Sequence, residues 1–157
     1  MKYLTSRIRT TEERDKLNEE LDILLANLYE HKGAGLESAL RTQVRSWVAE
    51  DIRANIPERI EEVEKYLKGI KTAFEKLPVL KLTIAFDPTD SSIDKFLSFA
   101  RKNVSDEILL ELEVNPLIFG GCEITYKGEF RDFSLKRLFE TEYKAKEEDL
   151  MKIVNKK

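Results

Sequence analysis

The chain has 157 residues with a net charge of −3, and 41% of them are hydrophobic and 36% charged. This length predicts one domain, or one small domain with a helical extension, and a charged fraction above the ~25% of ordinary domains predicts long solvated helices. Because the two signs are interleaved, the charge pattern argues against nucleic acid or anionic lipid as a partner, and a single cysteine excludes an intrachain disulfide.

The first predicted helix follows a segment without clear periodicity. Residues 1–9 predict a loose or extended lead-in. Thr10 or Thr11 then begins a helix, because two glutamates follow in the first turn, where they favour its positive end. Leucines at helical spacing give this helix one apolar face, and the glycine-containing segment 33–35 ends it.

Two more helices are predicted before Pro78. The second covers about residues 36–56 and ends where Pro57 interrupts helical geometry. The third covers about residues 58–77 and carries apolar residues at alternating spacings of three and four, typical of a coiled-coil seam or of an ordinary bundle. Its seam is the candidate partner interface, and the residues are Ile60, Val63, Leu67, Ile70 and Phe74.

After Pro78 the pattern changes to short alternating segments, which predict strands. Four strands are predicted, at residues 79–86, 108–114, 121–127 and 129–133. A helix over residues 92–104, begun by Ser91 or Ser92, separates the first two, and a last helix starts near Leu135. The predicted order is therefore β-α-β-β-β-α.

These elements predict an α+β protein with two parts. Residues 1–77 form a helical segment of about three helices, either a reduced bundle or a hairpin. Residues 78–157 form a small α/β domain with a C-terminal helix. We expect its strands to form one sheet, with the helix after the first strand packed on one face.

The sequence offers no credible catalytic or metal centre. His31, the only histidine, lies at a predicted helix end, where an imidazolium is a favourable cap. Cys122 lies on the apolar face of a strand, with nothing nearby in sequence to lower its pKa, and predicts a buried structural cysteine. One Cys and one His cannot supply the usual zinc ligands. We therefore expect no cofactor, no metal and no intrinsic enzyme activity.

Three further features carry weak chemical signals. Glu111 and Glu113 share one strand face, which predicts a solvated surface rather than an acid–base pair. The glycine pair 120–121 lacks the Lys-Ser/Thr and the helix start that a phosphate-binding loop requires. Asp132 and Ser134 have no histidine to complete a hydrolase site, so we interpret them as turn and cap residues.

The most informative stretch runs from Asn115 to Leu138. It reads Asn-Pro-Leu-Ile-Phe-Gly-Gly, an alternating strand, a Lys-Gly turn and then Asp-Phe-Ser-Leu. Paired glycines at a strand entry allow positive φ or the close approach of another element, and Ser134 is placed to cap the last helix. The residues of this structural motif are Asn115, Pro116, Gly120, Gly121, Asp132, Ser134, Leu135 and Leu138.

This ordered set resembles the C-terminal domain of the delta subunit of F-type ATP synthases, whose mitochondrial equivalent is the oligomycin-sensitivity-conferring subunit. The family pattern reads Asp-Pro-x-Leu-Ile-Gly-Gly, an alternating strand, Asp-x-Ser and a Leu-rich helix. Here Asn115 replaces the aspartate, and Ile118 and Phe119 stand where the family has Leu-Ile. The resemblance covers about residues 58–140.

The resemblance implies a non-catalytic subunit of the peripheral stalk, which links the catalytic head to the membrane-anchored stator during proton-driven ATP synthesis. The implied partners are the b-type stalk helices and the alpha subunits of the head, with no nucleic acid and no small-molecule substrate. The implied location is the cytoplasmic side of the inner or plasma membrane, reached through the complex. No apolar stretch approaches the ~20 residues that span a bilayer, and the N-terminus lacks a signal-peptide core, so we expect a soluble chain.

One departure from the family concerns the head. The family begins with a larger helical bundle that holds the alpha subunits, whereas only about three helices are predicted here before Pro78. The resemblance therefore implies a head contact that is reduced or built differently.

Three other functions stay open at this point. E-type stalk subunits of archaeal and vacuolar rotary ATPases end similarly, but they require a long straight rod, which the segment 33–35 and Pro57 disfavour. A generic helix-binding adaptor is compatible with the same pattern. A small enzyme with an unrecognised site is disfavoured by the scarcity of histidine and cysteine.

Overall fold

The computed structural model describes residues 2–29 and 34–154, with side chains placed for 4–29 and 34–144. The chain is α+β, as the sequence predicts. The helices are α1 (Lys2–Arg7), α2 (Thr11–Asn27), α3 (Ala34–Thr42), α4 (Ser46–Asn55), α5 (Ile60–Glu75), α6 (Asp90–Asn103) and α7 (Leu135–Val154), and the strands are β1 (Val79–Ile84), β2 (Leu109–Val114), β3 (Cys122–Tyr126) and β4 (Glu129–Asp132). His31, the predicted cap, lies outside the described residues.

The helical part contains five helices before β1, where about three were predicted. The prediction of an extended lead-in is wrong, since α1 occupies most of it. Leu4 and Ile8 are one helical turn apart and both fully buried, so packing against the bundle holds this short helix. Six residues are too few to show a periodicity in the sequence. The prediction that Thr10 begins the next helix is confirmed, because its side chain accepts a hydrogen bond from the Glu13 N–H.

The second predicted helix is divided into α3 and α4, and a buried ion pair accounts for the break. The Arg45 N–H donates to Glu20 Oε1 at 2.9 Å instead of continuing the helix. The Arg45 guanidinium also donates to both oxygens of this carboxylate, at 2.8–3.0 Å. Glu20 is buried, and Arg45 further lies over the Trp47 ring, 4.8 Å from its centroid. A contact between residues 25 positions apart thus overrides local helical preference.

The third predicted helix is α5, and its apolar seam faces the interior. Val63, Leu67, Ile70 and Phe74 are buried, and Ile60 is partly buried against the same core. Three leucines of α2 belong to this core as well and are fully buried, namely Leu17, Leu21 and Leu24, and Leu25 is partly buried against it. This corrects the interpretation of the seam as a candidate partner interface, because the chain covers it with its own helices.

The four strands form one sheet in the order β2-β1-β3-β4. β1 pairs with β2 in parallel and with β3 antiparallel, and β3 pairs with β4 antiparallel. As predicted, α6 packs on one face, where Leu97 and Ala100 share a core with Leu80 and Leu110. The predicted start of α6 at Ser91 or Ser92 is wrong.

Thr89 is the residue that caps α6. Its hydroxyl accepts a hydrogen bond from the Ser92 N–H at 3.3 Å. Threonine and serine are both favourable caps, so the residue type alone does not tell which of them begins the helix. Within the described ranges, no helix combines the length and the apolar character needed to cross a bilayer.

The helical part and the sheet are joined along β2. The Leu110 N–H donates to the Arg9 C=O at 2.9 Å, and Thr10 forms a parallel bridge to Leu110. The Arg9 side chain pairs with Asp90 and Asp94 at the start of α6, at 2.9 and 3.0 Å. Pairing with this segment occupies the outer edge of β2, so β4 forms the other edge of the sheet.

The buried ion pair generates a stability prediction. Glu20→Ala leaves the Arg45 guanidinium and N–H without their acceptor in a largely buried setting, so we expect a loss of about 2–4 kcal/mol of unfolding free energy. Glu37→Ala is the matched control, since it removes an exposed pair with Arg53 and should cost under about 1 kcal/mol. Urea denaturation of both variants measures the difference, and equal losses would contradict this role of Glu20.

Candidate protein-binding surface

The two ends of the sequence motif are hydrogen-bonded to each other. The Leu135 N–H donates to the Gly120 C=O at 3.1 Å, and the Phe133 N–H donates to the Cys122 C=O at 2.8 Å. Residues that are 15 and 11 positions apart in the sequence are thereby held side by side. The first turn of α7 is consequently fixed next to the glycine pair.

The backbone conformation at positions 120 and 121 requires glycine. Gly120 and Gly121 have φ of 68° and 78°, in the left-handed region. A Cβ on Gly121 would lie 2.3 Å from the Phe133 carbonyl oxygen, and one on Gly120 would lie 2.7 Å from Leu135 Cδ1. The prediction of positive φ or close approach is confirmed, since both conditions hold at each glycine.

The remaining polar motif residues close local turns. Asn115 Oδ1 accepts from the Leu117 N–H at 3.1 Å, and Asp132 Oδ1 accepts from the Ser134 N–H at 2.7 Å. Ser134 Oγ accepts from the Arg137 N–H at 3.3 Å, which supports its predicted role as the cap of the last helix. These side chains serve the backbone of the motif.

Among the described residues, the candidate chemical groups form no reactive arrangement. Burial, and then the nearby Asp132 carboxylate, raise the pKa of Cys122, which keeps the thiol protonated at neutral pH. Lys81 Nζ lies 2.7 Å from Glu113 and 3.9 Å from Glu111, which gives an exposed ion-pair network instead of a carboxylate pair. In the part of the chain that the structure describes, no group of three His, Cys, Asp or Glu residues could hold a metal ion.

The loop after Pro116 and the start of α7 present large apolar side chains to solvent. Leu117 is 91% exposed and Phe119 is 72% exposed, whereas Ile118 between them is buried. On α7, every placed side chain through Lys144 is exposed. The apolar side chains recur every three or four residues and therefore share one side of the helix, on which Glu142 also lies. We call the exposed apolar residues of the helix the α7 surface; it consists of Leu135, Leu138, Phe139 and Tyr143. Leu117 and Phe119 line a separate hollow with Lys136, Arg137 and Glu140, on the polar side of α7.

Exposure of this kind makes the α7 surface a candidate protein-binding surface. Soluble proteins rarely present several neighbouring large apolar side chains unless a partner covers them. The sequence analysis assigned Leu135 and Leu138 to the motif but missed the loop residues Leu117 and Phe119. The sequence holds no signal for their exposure, because Leu117, Ile118 and Phe119 are all apolar and lie in a turn between strands.

A second apolar surface lies on the sheet face that carries α6. Because α6 covers mainly β1 and β2, it leaves an open groove of about 480 Å³ above β3 and β4. We call it the β3–β4 groove, and its apolar lining consists of Leu80, Phe99, Val104, Ile124, Tyr126 and Phe133.

No family model matches this chain, and a search of the curated proteins found no match. The resemblance to the delta subunit therefore depends on the motif residues alone. The two apolar surfaces are the features from which a function can be argued.

The glycine pair generates a stability prediction with two controls in the same chain. Gly121→Ala should cost about 2–4 kcal/mol, because the methyl group meets a backbone oxygen at a left-handed position. Gly128→Ala should cost only about 1–2 kcal/mol, since its φ is 82° but the space around it is open. Gly69→Ala, in the middle of α5 with open space, should stabilise by about 0.5–1 kcal/mol. Chemical denaturation gives the three values, and a Gly121 variant no worse than the Gly128 variant would refute the close approach.

The Asp132 carboxylate generates a pH prediction. Hydrogen bonds from the Ser134 side chain and N–H lower the pKa of Asp132 below its ordinary 3.8. The contact is therefore complete above pH 3.8 and is lost as the pH falls through the lowered pKa. In an NMR titration, the Ser134 amide shift should follow this carboxylate with a midpoint below 3.8, and Asp132→Asn should abolish the step. A midpoint at or above 3.8 would contradict the assignment.

Proposed function

We propose that this chain is a non-catalytic subunit of a rotary ATP synthase, placed in the peripheral stalk between the catalytic head and the membrane-anchored stator. The observation that carries the proposal is the α7 surface, an exposed apolar helix face joined to the motif that resembles the delta subunit. The motif supports the class of protein, and the surface supports a function in binding another helix.

The way in which α7 is attached suits a mechanical link. A stalk has to hold the head against the torque of the turning shaft, so its contacts must keep their geometry under load. Ser134 caps α7, and the hydrogen bond from Leu135 to Gly120 anchors its first turn to the loop. A helix whose first turn is fixed in this way can transmit force to the sheet.

The partner that fits the α7 surface is a long amphipathic helix of the b-type stalk subunit. The exposed apolar residues follow α7 for two turns, which is the pattern of a helix that packs along another helix. Each Å² of apolar area covered contributes about 25 cal/mol, and the charged residues between the apolar ones set the register. The contact needs no bond chemistry, in keeping with the lack of a reactive arrangement among the described side chains.

The helical part supports the delta-like form of the proposal over an E-type subunit. The longest helix before β1 is α2 with 17 residues, and α1 to α5 fold into one bundle, so the described residues contain no long rod before the sheet. We propose that the outer, polar faces of this bundle contact the alpha subunits of the head.

A matched pair of substitutions on α7 tests the proposal. Phe139→Asp places a charge at the centre of the α7 surface and should weaken binding to the b-type helices at least 100-fold. Thr141→Asp adds the same charge about 200° further around the helix and should leave binding within about threefold. Both side chains are exposed, so neither change should alter the melting temperature of the isolated chain. The measurement is the affinity of the purified chain for the soluble part of the b-type subunit.

Three outcomes would overturn the proposal. The first is co-purification of head and stalk that is indifferent to deletion of this chain. The second is equal binding by the two α7 variants, which would place the contact elsewhere. A robust ATPase, nuclease or hydrolase activity of the purified chain would replace the stalk function with an enzyme.

A further inference from the structure

The β3–β4 groove has the width of one helix. Strands are ~4.8 Å apart, so two strands leave ~10 Å of sheet uncovered, which equals the diameter of an α-helix with its side chains. The β3 half of the floor is apolar, with Ile124 and Tyr126 partly buried beside Leu80, and the β4 half carries Glu129 and Arg131 opposite them. Phe99, on the α6 wall, is 65% exposed and borders the open space. The groove is thus wide enough to bind a second helix beside α6.

α7 has the matching shape but does not occupy the groove of its own chain. Only Phe133 and Ser134 connect it to β4, and its first turn is held by the bond to Gly120 and by the Ser134 cap. Its placed side chains are all exposed. One chain therefore carries an open groove for a helix and an exposed apolar helix that cannot meet within that chain.

The charges along the two surfaces are complementary. Glu129 and Arg131 lie two residues apart on β4, ~6.8 Å along the strand, and face the groove opposite Tyr126 and Ile124. In the isolated chain they form an exposed ion pair with each other at 3.5 Å, so a helix in the groove has to exchange this pair for its own charges. Lys136 and Glu140 lie four residues apart on α7, beside the apolar face, which separates them by ~6.0 Å along the helix. An α7 laid in the groove with its N-terminal turn at Glu129 places Lys136 opposite Glu129 and Glu140 opposite Arg131.

We propose that α7 of a second copy of this chain occupies the β3–β4 groove, and that the exchange is reciprocal. Such a contact closes into a two-fold dimer, because each chain offers both the helix and the groove. The dimer covers Phe139 and Phe99 at once. This inference goes beyond the proposed stalk function, and since both contacts use α7, the second copy and the stalk helix compete for it.

Sedimentation equilibrium of the isolated full chain, without partners, tests the dimer. We expect a species of twice the 18.3 kDa chain mass. Phe139→Asp on the helix and Phe99→Asp in the groove should each weaken dimerisation at least 100-fold, whereas Thr141→Asp should leave it within about threefold. Circular dichroism checks that each variant is folded, and Val104→Asp is a second groove variant at another exposed position.

Two further experiments identify the contact itself. Mixing the Phe139→Asp and Phe99→Asp chains restores one intact helix–groove pair, so a heterodimer should form although neither variant dimerises alone. In a charge exchange, the pair Glu129→Lys and Arg131→Glu should weaken dimerisation about tenfold. Adding Lys136→Glu and Glu140→Lys to the same chain should recover most of that loss.

The outcomes separate this inference from the stalk proposal. A chain that stays monomeric up to about 1 mM overturns the dimer, and so does a dimer that depends on Phe139 but not on Phe99 or Val104, which indicates pairing of two α7 helices. Stalk binding measured on a monomeric variant such as Phe99→Asp does not depend on the dimer. If that binding fails while the dimer forms as described, the proposed function falls and this inference stands.

Discussion

The close approach of the Gly121 backbone to the Phe133 carbonyl oxygen determines where the last helix leaves the sheet. A Cβ at this position would lie 2.3 Å from that oxygen, so only glycine allows β3 to begin beside the end of β4. The hydrogen bond from Leu135 to Gly120 and the Ser134 cap then fix the first turn of α7. The direction of α7 and the exposure of its apolar face follow from this closure.

Local patterns in the sequence predict much of this arrangement. Alternation identifies three of the four strands, the turn after the third places the short fourth, the Gly-Gly and Asp-x-Ser pieces identify the motif, and Thr10 is recognisable as a cap. Each of these signals depends on neighbours within a few residues. The strand glutamates are exposed, as their alternation predicts, with Lys81 placed between the two carboxylates. The prediction that Cys122 is buried is wrong, since this side chain is only partly buried on a strand that α6 leaves largely uncovered.

The parts that sequence does not predict depend on distant contacts. The division of the second helix requires Glu20 to bind Arg45, a pair 25 residues apart. Burial of the α5 seam requires the leucines of α2, and a periodic apolar face looks the same whether the chain itself or a partner covers it. The same ambiguity, with the opposite outcome, holds for α7, whose apolar face stays exposed.

The central claim is that the α7 surface binds a helix of the peripheral stalk. The most direct measurement places a photo-crosslinking residue at position 139 of the chain in native membranes, with position 141 as control, and identifies the attached protein. The account predicts a crosslink to the b-type stalk subunit from position 139 and little from 141. A crosslink of equal yield from both positions, or from 139 to a protein outside the synthase, would contradict it.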